Sequence, residues 1–423
     1  MFDKIIQIWK AKDVRKKVLF VIGMLVIFRF LAHIPIPGVN QAALKSLFAS
    51  NQILGLMNLF SGGGMENFSI VMMGVAPYIT ASIIFQLLGM IIPKIEEMQK
   101  EESGRQKINS WTRLLTVPLG ILQSYGMITL LRRSAAGVLG TVSEFDMFIM
   151  LITITAGTIL LVWIGELISE QKVGNGISLL IFAGIVSSLP QVVQQIIVTF
   201  DQTQLFTLIG FIVIALITIV GVVIINEGQR NIPVQYARQV RGNRTFGGTN
   251  THLPLRVNMA GVIPIIFAVS VVLFPSMIAQ FLVHAKTAWI ASSAEFVIRL
   301  FENQLFYGVV YFLMVFAFTY FYTEVVFHPD QIAENLQKQG GFIPGIRPGK
   351  NTSEYLAATT HKIILVGALF LGTIAVLPLI MKYITGVQAF AIGGTSLLIV
   401  VSVVIETVKQ IQAQLTMREY DGL

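Results

Sequence analysis

Apolar residues along this chain come in runs of about twenty, separated by short stretches rich in charge, glycine and proline. Twenty helical residues rise about 30 Å, the thickness of a bilayer's hydrocarbon core. The runs predict ten transmembrane helices, at residues 18–37, 69–92, 113–131, 145–166, 177–199, 205–226, 258–281, 307–327, 362–381 and 387–408. Only Asp201, Gln202, Thr203 and Gln204 separate the fifth from the sixth, room for no more than a tight helical hairpin. An even number of spans returns both termini to one side. Residues 1–17 are basic enough to resemble the start of a signal peptide, but the apolar run after them is too long and ends in His33-Ile34-Pro35-Ile36-Pro37-Gly38, so a retained first span is expected.

Composition sharpens this picture. Of 423 residues, 54% are apolar and only 12% charged, against about 25% charged in soluble domains. With no cysteine in the chain, disulfides, thiolate metal sites and a cysteine nucleophile are all excluded. Net charge is +8, from 30 Lys and Arg against 22 Asp and Glu. If the amino terminus is cytoplasmic, 23 of the 30 lie on that side, 6 on the other, and Arg29 inside a span. The positive-inside rule selects that orientation.

Two short matches point to an internal duplication. Gly74-Val75-Ala76-Pro77-Tyr78-Ile79 in span two corresponds to Gly261-Val262-Ile263-Pro264-Ile265-Ile266 in span seven, and Gly176-Ile177-Ser178-Leu179-Leu180-Ile181 in span five to Gly394-Thr395-Ser396-Leu397-Leu398-Ile399 in span ten. Both are displaced by five spans. An odd number of spans per copy requires the copies to insert in opposite directions. The repeats therefore pair Ile79 with Ile266 and Ile181 with Ile399 near the midplane, and chance similarity between apolar helices is the alternative. All four residues are bulky and apolar, which is unsuited to a solute site.

Ion-coupled carriers need ionisable groups at mid-membrane. Here Glu166, Glu227, Glu324 and Glu406 sit near cytoplasmic span ends, and only Arg29 lies deeper, where a structural role is a simpler reading than a substrate role. There is no metallohydrolase, nucleophile-elbow or phosphate-loop motif, and the five histidines lack ligand spacing. No catalytic residue, metal site or cofactor is expected. A conduit or a scaffold remains.

The outer segment around 54–64 ends in Asn58-Leu59-Phe60-Ser61-Gly62-Gly63-Gly64. Too short to span and too apolar to be solvated, it is expected to fold back into the protein and end in a glycine hinge. An interfacial helix on the outer leaflet is the alternative. Two large inner loops, 227–257 and 328–361, are candidate docking surfaces. The first bears Arg230, Arg238, Arg241 and Arg244; the second presents Arg347, Pro348, Gly349 and Lys350 on a glycine- and proline-rich turn. Such arginines suit acidic proteins or RNA phosphate, while scattered basic residues alone are explained by lipid headgroups. The loop 94–107 is charge-balanced and reads as a solvated helical hairpin tip.

Several stretches together closely resemble the SecY family of bacterial protein-conducting channels: Pro77-Tyr78-Ile79-Thr80-Ala81-Ser82-Ile83-Ile84, Asn175-Gly176-Ile177-Ser178, Asn258-Met259-Ala260-Gly261-Val262-Ile263-Pro264, Gly345-Ile346-Arg347-Pro348-Gly349 and Gly393-Gly394-Thr395-Ser396-Leu397-Leu398-Ile399-Val400-Val401. The resemblance implies an all-α membrane protein. Its ten helices would form two inverted halves, 1–204 and 205–423, around an hourglass pore. It further implies an apolar pore ring of Val75, Ile79, Ile177, Ile181, Ile266 and Ile399, with Val75 where relatives commonly carry a larger aliphatic residue. A plug would run from Asn58 to Gly64 with Phe60 at its centre, and Thr80, Gln86 and Asn258 would be polar positions of a lateral gate. The implied function is translocation of unfolded secretory polypeptides across the cytoplasmic membrane and lateral release of membrane-protein helices selected by their signal sequences. The implied partners are the membrane subunits SecE and SecG, the motor ATPase SecA, the ribosome and membrane lipids. A small-solute transporter and a poreless scaffold are the competing readings.

Overall fold

A computed structural model of the chain describes residues 9, 11–50, 58, 61–133, 138–140, 143–198, 205–236, 239–241, 244–246, 250–283, 287–385 and 389–421. Each of the ten predicted spans falls on a helix. In chain order the helices are α1 (Lys12–Leu31), α2 (Gln41–Ser50), α3 (Ala76–Ile91), α4 (Pro93–Lys100), α5 (Glu102–Arg133), α6 (Glu144–Glu170), α7 (Gly176–Val198) and α8 (Leu205–Glu227). After four strands come α9 (Ile263–Leu282), α10 (Ala288–Glu302), α11 (Gln304–Val326), α12 (Pro329–Lys338), α13 (Lys350–Thr385) and α14 (Ala389–Asp421). Among the described residues, five of these helices are long and apolar enough to cross a membrane, and a pair bent by 111° at Ile92, α3 with α4, makes up to six.

Span boundaries differ from expectation in an instructive way. The apolar runs at 113–131 and 362–381 form the C-terminal parts of α5 and α13, and that at 387–408 the N-terminal part of α14; each helix extends into its polar flank because nothing there breaks a helix already begun. Spans two and seven, by contrast, start late. Residues 69–75 are turns and the helix opens at Ala76, while 258–262 form a turn before Ile263. In both places a glycine with positive φ, +56° at Gly74 and +65° at Gly261, stands three residues before a proline. The glycine turns the chain, and the proline, whose missing N–H is no loss in a first turn, starts the helix. The first repeat is thus a repeat of backbone geometry. The second is not, since α7 begins at Gly176 whereas Gly394 lies inside α14.

Packing divides the chain into two compact units, one of Met1–Phe206, Ser270–Asn303 and Val403–Leu423, the other of Thr207–Val269 and Gln304–Ser402. In the first, α3 packs on α5, α5 on α6 and α6 on α7, with α1 against α6 and α7. Glycines set the closest approaches: a Cβ at Gly176 would lie 1.8 Å from the carbonyl oxygen of Gly165, and one at Gly157 2.0 Å from that of Ile70. Arg113 Nε pairs with Glu166 Oε1 at 2.6 Å across α5 and α6. Gln414, near the end of α14, accepts from Lys17 Nζ at 3.2 Å and donates to the carbonyl of Lys172 at 2.5 Å, in the α6–α7 turn. The tip at 93–107 is exposed and carries the local ion pairs Lys100–Glu96 and Arg105–Glu102.

In the second unit α11 and α13 pack side by side, Gly372 making room for the ring of Phe312. Among the described residues, strands lie only in the two long loops 227–257 and 328–361. β1 (Gln229–Tyr236) pairs antiparallel with β4 (Asn250–Arg256), β2 (Gln239–Arg241) pairs with β3 (Arg244–Phe246), and β5 (Gly341–Phe342), from the other inner loop, pairs with β1. Ile232, Val234, Leu255, Ile343 and Leu356 close a small apolar core beneath this sheet.

Candidate functional site

The segment between α2 and α3 is built around Asn58. Its carbonyl accepts the Gly63 N–H at 2.9 Å and the Ser61 hydroxyl at 3.0 Å, while its side-chain amide exchanges bonds with Glu66, accepting the backbone N–H at 2.9 Å and donating to Oε2 at 3.0 Å. Gly62 and Gly63 take φ of +69° and +79°, a region that side-chain-bearing residues rarely occupy. The glycine run is therefore an ordered turn in this structure. Leu59 and Phe60 lie outside the described residues. From Ser61 onward the chain is largely inside the protein: Ser61, Met65, Phe68, Val71, Met72 and Met73 are all buried. Backbone pairing fastens it to the chain after α1, with Ile36 N–H donating to Phe68 at 2.9 Å and Ile70 N–H to Ile34 at 3.1 Å. An interfacial helix does not describe residues 61–75.

The six ring positions divide four and two between the units. Val75 caps α3 and Ile79 sits one turn in, its N–H donating to the Val75 carbonyl at 3.1 Å. Ile177 and Ile181 are the same distance apart on the first turns of α7, Ile266 opens α9, and Ile399 lies on α14. Val75, Ile79, Ile181, Ile266 and Ile399 are buried, the last 1% exposed, whereas Ile91 at the end of α3 is 75% exposed. These side chains therefore do not serve as lipid-facing surface. Ile177 is half-buried and packs against α6, where a Cβ on Gly165 would lie 2.8 Å from its Cδ1.

Each polar gate position is tied within its own unit. Thr80 Oγ1 donates back to the Ala76 carbonyl at 3.0 Å and accepts from Gln123 Nε2 at 3.4 Å. Gln86 Nε2 donates to Ser82 Oγ at 3.2 Å, and its buried Oε1 has no hydrogen-bond donor among the described residues. Asn258 donates to Asn226 Oδ1 at 2.6 Å and to the Gly261 carbonyl at 3.2 Å, and accepts the Gly261 N–H at 3.0 Å. Asn226 in turn donates to Ser402 Oγ at 2.9 Å. Sequence reasoning missed Asn226, at the end of one span, and Gln123, in the middle of another, because no local pattern shows which distant polar residue a helix will meet.

The two long loops, 227–257 and 328–361, pair in one sheet. Arg230 lies at the base of the hairpin, opposite Leu255, and Arg241 opposite Arg244 at its tip; Arg238 lies outside the described residues. Arg347, Pro348 and Lys350 are exposed on a turn in which Gly345 and Gly349 have φ of +81° and +96°, and the Arg347 carbonyl accepts from Thr352 Oγ1 at 2.9 Å. Lys350 faces Glu354 at 4.0 Å. A strand signal is present in the sequence: Ile232, Val234 and Tyr236 alternate at strand period.

Comparison with known proteins agrees with this geometry. The fold is that of a solved protein-conducting channel, with a TM-score of 0.62 at 17% identity over 94% of this chain and 91% of that one. A SecY whose plug domain stabilises the closed state of the translocation channel matches at a TM-score of 0.62 and 18% identity, over 94% of this chain and 91% of that one. Sec61 in the canine ribosome–channel complex matches at 0.60 and 17%, with the same coverage. The fold is thus that of a multi-pass helical membrane protein. A SecY family model matches residues 69–408, and the protein translocase subunits SecY of Corynebacterium glutamicum and Halalkalibacterium halodurans are each 44% identical, over 99% or more of this chain and 99% of theirs. The chain belongs to the SecY family. It is a protein-translocation channel subunit and not an enzyme.

Proposed function

We propose that the ten spans act as two inverted halves, 1–204 and 205–423, with a pore through which unfolded polypeptides cross the bacterial cytoplasmic membrane, both termini being cytoplasmic. The observation that carries this reading is the largely buried segment 61–75, which runs directly into Val75 and α3. Val75, Ile79, Ile177, Ile181, Ile266 and Ile399 form the constriction, which grips an extended chain and dewets when empty. Asn58 to Gly64 are the plug. Thr80, Gln86 and Asn258 belong to a lateral gate whose hydrogen bonds, about 1 kcal/mol each, yield to a hydrophobic signal sequence that then partitions into lipid.

Arg230, Arg238, Arg241, Arg244, Arg347, Pro348, Gly349 and Lys350 receive the motor SecA or the ribosome, while SecE and SecG accompany the chain in the membrane. A pairing between the two inner loops supports a shared docking platform, because β5 of the second loop extends the sheet of the first. The test uses the natural absence of cysteine. A single cysteine at Ile79 or Ile399 should form a disulfide with one in a stalled secretory precursor, only when the motor or ribosome is present. If neither position reacts while a cysteine at exposed Ile91 does, the pore assignment fails.

A further inference from the structure

Arg29 is the cation that the channel reading leaves without a part. It lies in the last turn of α1, and its Nη1 donates to the carbonyl oxygen of Gly62 at 2.6 Å. Charge-assisted bonds of this kind are about twice as strong as neutral ones, and more so away from water. Among the described residues no carboxylate forms an ion pair with Arg29. Next to it, Phe28 is 2% exposed. A Cβ added to Gly62 would meet the Phe28 ring at 2.6 Å and Gly184 Cα at 3.2 Å, so the turn is held between α1 and α7 by a fit that only glycine allows. A Cβ at Gly63 would lie 3.6 Å from the same Nη1. The guanidinium therefore covers both left-handed glycines of the turn.

We infer that Arg29 is a latch for the plug: a positioning residue that holds Gly62 against α1 at rest and exchanges that carbonyl for water when the plug leaves. The inference rests on the plug assignment above. The reason a charge is tolerated at this depth follows from it, since an arginine in the membrane needs strong acceptors, and a turn carbonyl with no helical partner is one. Opening replaces the carbonyl with the water of a widened lumen, so the bond favours the closed state without leaving a bare charge in the open one.

The test is resting ion flux through the full chain, purified with its accompanying membrane subunits and reconstituted in liposomes. Arg29→Met should raise flux about tenfold, equivalent to ~1.4 kcal/mol in the closed–open balance, and Arg29→Lys, which keeps one cationic donor, should fall between. Deleting residues 58–64 should also raise flux, and Arg29→Met should add nothing in that background. Wild-type flux in Arg29→Met beside a leaky deletion overturns the latch and leaves the plug standing. A deletion that does not leak overturns both, and a further rise on combining the two overturns the latch. Should Arg29→Met fail to accumulate, Gly62→Ala keeps the arginine and displaces the turn from Phe28; it should leak, and a sealed Gly62→Ala channel refutes the latch.

Discussion

Asn258 donates to the side-chain oxygen of Asn226 at 2.6 Å, and Asn226 passes the chain of bonds on to Ser402 at 2.9 Å. A residue of the proposed gate is thereby fixed to two other helices, at the end of α8 and within α14. Replacing Asn226 with leucine leaves the buried Asn258 amide one hydrogen bond short, which costs about 1–3 kcal/mol. We expect Asn226→Leu to lower stability by that order in mixed-micelle unfolding, and to ease the crosslinking of signal sequences near position 258. Unchanged stability and crosslinking would show the network to be incidental.

Gly157 of α6 lets the backbone of the 61–75 segment lie against the helix, because a Cβ there would sit 2.0 Å from the Ile70 carbonyl oxygen. Overpacking of this kind costs about 1–3 kcal/mol. Gly157→Ala should therefore loosen the segment, seen as faster protease cutting between 61 and 75 and a lower unfolding midpoint. Alanine at Gly23, where nothing lies within 4 Å, is the control expected to leave both unaltered.

The constriction predicts a contrast between faces of one helix. Ile79→Asn, at a buried ring position, should wet the pore and raise resting ion flux several-fold while translocation continues. Ile91→Asn, on the exposed side of α3, should leave flux at the wild-type level. Equal fluxes in the two variants would remove Ile79 from the seal.

The two inner loops are coupled through Gln235↔Phe342 and Tyr236↔Gly341. A Cβ at Gly341 would approach Tyr236 Cε1 to 3.0 Å and the Leu336 carbonyl to 3.3 Å, so Gly341→Val should force β5 off β1. Local opening should become easier by about 1 kcal/mol, giving roughly fivefold faster amide exchange along β1. Motor- or ribosome-dependent translocation should fall while resting ion flux stays constant. If exchange rises and translocation does not fall, the platform is not needed for docking.

Much of this was legible residue by residue. All ten spans fall on helices, and the Gly74–Pro77 and Gly261–Pro264 matches proved to share the same left-handed glycine before a helix start. The boundaries differ for one reason: hydropathy marks the apolar stretch, not the helix, so α13 extends back to Lys350 and packs Leu356 under the sheet, while α3 begins only at Ala76. The β1–β4 hairpin is obscured in the sequence by its arginines, although Ile232, Val234 and Tyr236 alternate at strand period.

The sequence by itself determined what short-range physics controls, namely the spans, their orientation bias, the absence of thiol chemistry and the apolar character of the ring positions. Each depends on residues within a helical turn or on the thickness of the membrane. Only the tertiary structure decided what those residues touch. Arg29 meets Gly62 across 33 positions, Gln123 meets Thr80 across 43 and Asn226 meets Ser402 across 176. Such partners are chosen by how helices pack, through glycines at Gly157, Gly176 and Gly372 that permit the close approach, and no local pattern encodes which distant carbonyl or amide will be waiting there.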